Sequence, residues 1–289
     1  MNVDNYSILS QINSGAFGTL YSGQNKRTGE KVAIKVERTG IGLVKHEAKM
    51  LQYLYQNGVR YIPPIYWYGI WNSDIGQGRP TLIIPQYSCN LLQYIQNRQL
   101  TQDNIKIIMC KMLRIFEQIH VSYIVHRDIK PQNFMVSPDL ILIDFGLATW
   151  YIDDKGEHIK DIESSSMIGT PRFASIRVHQ GHRYSRRDDL ISLGYLYVWM
   201  LFGGKSPWEP TKEDIMLAAS QNQTKMFERI DIRHECNMAL LKNKQLHIFQ
   251  KKCLLAPNDP SILYLNYTYS LDFDTVPDYE QMQSFFMPK

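Results

Sequence analysis

The sequence predicts a bilobal α+β fold, with strands first and helices after. Three observations predict it. Residues 6–37 read as strands around short turns. Residues 105–119 carry an apolar stripe at helical spacing. Near residues 85–90 the texture shifts from strand-rich to helix-rich, which sets a lobe boundary. The expected division is a small β-rich lobe with one main helix, residues 1–86, and a larger, mostly helical lobe, residues 87–289.

The elements follow in order. Tyr6-Ser7-Ile8-Leu9 leads into the turn Asn13-Ser14-Gly15-Ala16-Phe17-Gly18, and Thr19 to Gly23 continues as a strand. After the turn Lys26 to Glu30 comes Lys31-Val32-Ala33-Ile34-Lys35-Val36-Glu37, a third strand. Leu43, Val44, Met50, Leu51 and Leu54 fit a helix over residues 43–57, which Pro63-Pro64 closes off. Tyr66 to Gly69 and Pro80 to Pro85 read as two further strands, joined by a polar loop from Asn72 to Arg79. Ile105, Ile108, Met109, Met112, Leu113 and Phe116 then mark a long helix. Phe134 to Val136 and Leu140 to Ile143 return to strand.

Bulk properties narrow the function classes. Hydrophobic residues make up 44% of the 289, enough for a substantial core rather than a disordered chain. The formal net charge of +4 comes from interspersed charges without a long basic run, which does not suggest a nucleic-acid role. Cys89, Cys110, Cys236 and Cys253 form no C-x-x-C pair and read as reduced structural thiols of an intracellular protein, cytoplasmic or nuclear. The opening MNVDNYSILS lacks the basic and apolar regions of a secretory signal. The uncharged run from Leu190 to Gly204 is shorter than the ~20 residues that span a bilayer, and reads as a buried helix. No membrane role is expected, and a monomer is.

One stretch carries the chemistry. His126-Arg127-Asp128-Ile129-Lys130-Pro131-Gln132-Asn133 is followed by Asp144-Phe145-Gly146. This layout can handle a nucleoside triphosphate and a hydroxyl acceptor together. Asp128 would accept the hydroxyl proton, Asn133 and Asp144 would hold magnesium, and Lys130 would face the transferred phosphoryl group. His126 and Phe145 read as packing residues that shape the loops.

Two weaker motifs gain force beside it. A glycine turn such as residues 13–18 lets backbone N–H groups approach phosphates, although most such turns are only turns. Val32-Ala33-Ile34-Lys35 ends an alternating strand in a lysine that can reach α- and β-phosphates, with Glu47 on the next helix as its partner.

Together these residues resemble a eukaryotic protein kinase. Gly169-Thr170-Pro171-Arg172-Phe173-Ala174-Ser175-Ile176 stands where most kinases carry A-P-E. Ser185-Arg186-Arg187-Asp188-Asp189-Leu190-Ile191-Ser192-Leu193-Gly194-Tyr195 follows, a combination similar to the casein kinase I family. Tyr66-Trp67-Tyr68-Gly69, Ser206-Pro207-Trp208, Phe227-Glu228-Arg229-Ile230 and Pro277-Asp278-Tyr279 add to the likeness, which covers roughly residues 6–286.

The resemblance implies the bilobal protein kinase fold and an ATP- and Mg2+-dependent Ser/Thr kinase acting on protein substrates, acidic or already phosphorylated. It places Asn13, Gly15 and Gly18 over the phosphates, with Lys35 beside them. Ile84 aligns with the gatekeeper. Adenine would bond the Pro85 carbonyl and the Tyr87 N–H, between Ala33 and Ile143. Arg172 matches the main arginine of the anion pocket, Arg127 supports the catalytic loop, and Thr170 would hydrogen-bond toward Asp128 and Lys130.

The chain departs from the family in several places. Asn13 replaces the leading glycine of the turn, and asparagine tolerates positive φ better than most residues. Pro210 removes an N–H from the anion pocket. Met226 stands where a lysine is expected, with Lys225 beside it, and an insertion lies around residues 213–224. Primed-substrate preference is expected to be weakened. The chain ends where the family's catalytic domain ends, so no autoinhibitory tail is expected. Ser164-Ser165-Ser166 is a candidate for autophosphorylation, against a plain solvated loop. A catalytically silent scaffold is the competing reading, with Asn13 its only support. A small-molecule kinase would want another residue at Lys130.

Overall fold

A computed structural model describes residues 2–15, 18–38, 40, 42–72, 78–162, 167–221 and 232–287. By proximity of their Cα atoms the residues group as Met1–Tyr94 with Pro131–Thr149, and as Ile95–Lys130 with Trp150–Lys289. The first group therefore extends past residue 86 and takes back the segment holding Asn133 and Asp144.

The first group is built on an antiparallel sheet. Its strands are β1 (Asn2–Val3), β2 (Tyr6–Gly15), β3 (Gly18–Asn25), β4 (Lys31–Glu37), β5 (Trp67–Trp71) and β6 (Arg79–Pro85), in the order β1-β2-β3-β4-β6-β5. Period-2 alternation on β4 sends Val32, Ile34 and Val36 into a core with Tyr6, Trp71 and Ile83. Ala33 and Lys35 then share the opposite, half-buried face.

Helix α1 (Leu43–Gln56) lies one residue short of the expected span. Glu47 sits at helical spacing between Val44, Leu51 and Leu54, so it rides the buried stripe rather than the wet face. The helix start, Gly42, offers no side-chain cap. Glu37 at the end of β4 takes that role, accepting the N–H groups of Leu43 at 3.1 Å and Val44 at 3.0 Å. A hairpin, β7 (Phe134–Ser137) and β8 (Asp139–Leu142), completes this group. The fifth strand starts and ends one to two residues later than expected, and most of the polar loop after it lies outside the described residues.

Helix α2 (Leu91–Gln96) crosses into the helical group. Helix α3 (Gln102–Val121) starts with a capping box between Thr101 and Asn104, worth about 1 kcal/mol. Its stripe from Ile105 to Ile119 is buried as the spacing required, except that Ile108 is half-buried. After the short α4 (Ile176–His179) comes α5 (Arg186–Leu201), which is buried on every side from Arg186 to Met200. A helix apolar all round its Leu190–Met200 portion belongs in the middle of a domain, and α3 packs against it.

The remaining helices are α6 (Lys212–Gln221), α7 (Ile232–Asn243), α8 (Leu246–Lys252), α9 (Pro260–Ser270) and α10 (Tyr279–Ser284). α9 packs on α5 and α10 on α3. Among the described residues no helix is long and apolar enough to cross a membrane. The sheet followed by a mostly helical region is the α+β architecture expected.

Candidate functional site

Three charged groups converge in the sheet-bearing group. Lys35 Nζ donates to Glu47 Oε2 at 2.6 Å and to Asp144 Oδ1 at 2.8 Å. Burial works against charge on the lysine, but the two carboxylates outweigh it and hold its pKa above the ordinary value. Burial likewise pushes the Glu47 carboxyl upward, opposed by the ammonium beside it. The pairing of Lys35 with Glu47 is as expected. The bond to Asp144 needs two segments distant in sequence to meet.

The β7–β8 hairpin brings Asn133 and Asp144 together along the chain. The Asn133 carbonyl accepts the Ile143 N–H at 2.9 Å, continuing the register Phe134 to Leu142. Asp144 is the next residue, and it adopts a left-handed backbone with φ 67°. Such a conformation in a non-glycine residue costs on the order of 1–3 kcal/mol and persists only where its surroundings impose it. Helix α1 packs on the turn that follows, where Phe145 is fully buried.

The glycine turn closes β2 onto β3, with Gly15 opposite Gly18 and residues 16–17 outside the described set. A Cβ on Gly18 would lie 2.3 Å from the Val36 carbonyl oxygen, so glycine is required there by close approach to β4. Asn13 differs from expectation. It sits in extended strand opposite Leu20, and its Oδ1 accepts the Ser14 N–H at 2.8 Å. Positive φ is not the reason for asparagine here; local capping of the turn is.

Of the expected adenine-contacting residues, Ala33, Ile84 and Pro85 lie on one stretch of sheet, Tyr87 follows β6 and Ile143 follows β8. Ala33 pairs with Ile84 and Val32 with Pro85. Gln86 donates its N–H to Lys31 across 3.2 Å, anchoring the segment between Pro85 and Tyr87. Ala33, Ile84, Pro85, Tyr87 and Ile143 are all half-buried.

The helical group holds the further candidate residues Asp128, Lys130 and Thr170. Asp128 is nearly buried, at 5% exposure, and both its oxygens are engaged. Lys130 Nζ donates to Oδ2 at 2.5 Å and Thr170 Oγ1 to Oδ1 at 2.7 Å. The expected pairing of Thr170 with this loop is met. Arg127, just before, has φ 68°. Its N–H and that of His126 both donate to the buried Asp189 carboxylate, at 3.0 and 2.7 Å.

His120 Nε2 also donates to Asp189 at 3.1 Å, and Tyr279 donates to His120 Nδ1 at 2.5 Å. That pattern is a neutral imidazole, and burial keeps its pKa low. Sequence reading missed the anchoring role of Asp189, although two adjacent acids ahead of an apolar helix were a usable signal.

The segment that begins at Met167 docks on this loop. Gly169 has φ 92°, and a Cβ there would lie 2.2 Å from the Arg127 carbonyl oxygen. Tyr184 donates to the Ile168 carbonyl at 2.9 Å. Ser175 caps α4 and donates to Asp188 at 2.5 Å. The serine cluster Ser164–Ser166 and the segment Phe227–Ile230, with Lys225 and Met226, lie outside the described residues.

Arg172 is not an open cation. Its Nε and Nη2 both reach Glu209 Oε1 at 2.5 Å, on an exposed surface. Glu209 precedes Pro210 and was not singled out from sequence. Residues 6–259 match the sequence model of the family described as "Protein kinase domain".

Proposed function

The chain belongs to the protein kinase domain family, and from that premise we infer that it is a Ser/Thr kinase of the casein kinase I type. A protein kinase is a phosphotransferase that uses ATP and acts on protein. The finer reading rests on the residues named above, and the Thr170–Asp128 hydrogen bond at 2.7 Å carries it. A threonine hydroxyl there marks where an acceptor hydroxyl of serine or threonine size would approach the same carboxylate.

Asp128 then orients the acceptor hydroxyl and takes its proton as the oxygen attacks the γ-phosphorus in line. Lys130 and Lys35 stabilise negative charge on the phosphoryl groups. Glu47 fixes the Lys35 ammonium. Asn133 and Asp144 supply oxygen donors that suit Mg2+, an ion held through one or two carboxylates together with phosphate oxygens. Bound there, Mg2+ would neutralise charge on the β- and γ-phosphates. Asn13, Gly15 and Gly18 cover the phosphates, while Ala33, Ile84, Pro85, Tyr87 and Ile143 receive adenine. In this reading the functional lobes are residues 1–86 and 87–289, and the enzyme works inside the cell as a monomer.

Arg172 would read acidic or phosphorylated substrates. Its pairing with Glu209, next to Pro210, supports a weakened priming preference, because a substrate anion must displace an internal carboxylate. The decisive assay is radiolabel transfer from Mg-ATP to casein. Wild type transfers label, and Asp128→Asn abolishes transfer while ATP binding stays within about twofold. An Asp128→Asn variant with normal turnover ends the assignment of the base, and an inert wild type favours a scaffold.

A further inference from the structure

Among the described lysines and arginines of the helical group Lys244 is the most deeply buried, with 0% of its surface exposed just past the end of α7. Its ammonium lies in no ion pair among the described residues. Nζ donates to the Pro171 carbonyl at 2.7 Å and the Ala174 carbonyl at 2.5 Å, and lies 4.8 Å from the centre of the Tyr195 ring. His179 Nε2 donates to the same Pro171 carbonyl at 3.0 Å and lies 3.3 Å from Nζ. Burial lowers the lysine pKa well below its ordinary value.

The gripped segment is short. It runs from Thr170, which bonds Asp128, to Ser175, which bonds Asp188. Within it the Phe173 and Ala174 N–H groups turn back to the Thr170 carbonyl at 3.1 and 3.2 Å. Its outward carbonyls at 171 and 174 go to Lys244, and the one at 172 accepts the Trp208 Nε1–H at 3.1 Å. Asn243 ties Trp208 to the same corner, donating to its carbonyl at 3.1 Å. A tight turn with three carbonyls taken by side chains cannot shift without stranding buried donors.

We propose that Lys244 is a positioning residue for the phosphoryl acceptor: by clamping the 171 and 174 carbonyls it sets where Thr170, and with it an incoming hydroxyl, stands against Asp128. The proposal rests on the reading of Asp128 as acceptor base.

The test compares Lys244→Met with Lys244→Gln, using casein and ATP as substrates. The glutamine amide keeps two N–H donors on a neutral head; methionine keeps only the volume. The Met variant should lose about tenfold or more in kcat/KM for casein, with KM for ATP within about twofold of wild type. The Gln variant should recover most of that loss.

Wild-type casein kinetics in a folded Met variant would overturn the proposal. So would equal losses in both variants that affect ATP and casein alike, since that is general destabilisation. If the Met variant does not fold, Trp208→Phe removes one of the three donors alone. A fall of about threefold for casein with ATP unchanged then supports the clamp, and no change overturns it. Asp128→Asn measured alongside separates the readings: full turnover in that variant defeats the assignment of the base, while the Lys244 kinetics still report on the clamp.

Discussion

Thr170 donates its hydroxyl hydrogen to Asp128 Oδ1 at 2.7 Å, while Lys130 holds the other oxygen of the same carboxylate. The segment around Thr170 is thereby tied to the loop that carries Asp128. Thr170→Val keeps the shape and removes the donor. It should lower kcat on a protein substrate by about tenfold, with little change in KM for ATP. Thr170→Ser should stay near wild type. Steady-state kinetics on all three proteins check this.

Lys35 sits between two carboxylates, one of them almost wholly buried. Glu47→Gln keeps an oxygen acceptor but removes one of the two negative charges beside Lys35, so Asp144 draws the ammonium and competes with its approach to phosphate. The expected result is a fall in kcat/KM for ATP of about ten- to a hundredfold, with a smaller effect on thermal stability. Titration of nucleotide binding and a melting curve separate the two.

Asp189 satisfies two backbone donors and His120 at once. Asp189→Ala strands all three in a buried site, and should cost about 3–5 kcal/mol or prevent folding. Gly169→Ala is the milder probe of the same loop, because its Cβ would collide with the Arg127 carbonyl. It should destabilise by about 1–3 kcal/mol and slow phosphoryl transfer. Denaturant unfolding of each variant measures these losses.

His179 is held neutral mainly by burial, and further by the Lys244 ammonium, with its pKa pushed down to about 4. The unfolded chain would bind its proton near the ordinary value of 6.5. The folded state thus binds fewer protons between those values. The stability contribution is complete above 6.5 and is lost as pH falls toward 4, at up to about 1.4 kcal/mol per pH unit. His120, lowered by burial as well, adds in the same direction. Melting temperatures from pH 7 to pH 4 should fall, and His179→Gln should flatten the slope.

Glu209 occupies the Arg172 guanidinium from within the chain. Glu209→Gln should raise the preference for peptides phosphorylated upstream of the target by several-fold. An exposed pair of this kind is worth only ~0–1 kcal/mol, so little change in stability is expected. Paired peptides with serine or phosphoserine upstream provide the readout.

The sequence alone determined the order of elements, the buried helix near Leu190 and the residue types at Lys35, Asp128, Asn133 and Asp144. Local periodicity and close motif spacing carry that information, since each depends on neighbours along the chain. It also pointed to Glu47, as the carboxylate on the helix after Lys35, and to Thr170 through its place in a family pattern.

Tertiary structure decided the rest. Glu37 caps α1, Asp189 anchors the loop at His126 and Arg127, Glu209 neutralises Arg172 and Lys244 grips carbonyls 70 and 73 residues away. None of these partners is near in sequence to the group it serves, except Glu37. In isolation each reads as a solvated charge, because a charged side chain takes on its role only when the fold removes its water and offers one particular partner. Asn13 shows the converse: its replacement of a glycine suggested a positive φ, and pairing with β3 made it an ordinary strand residue with a useful amide.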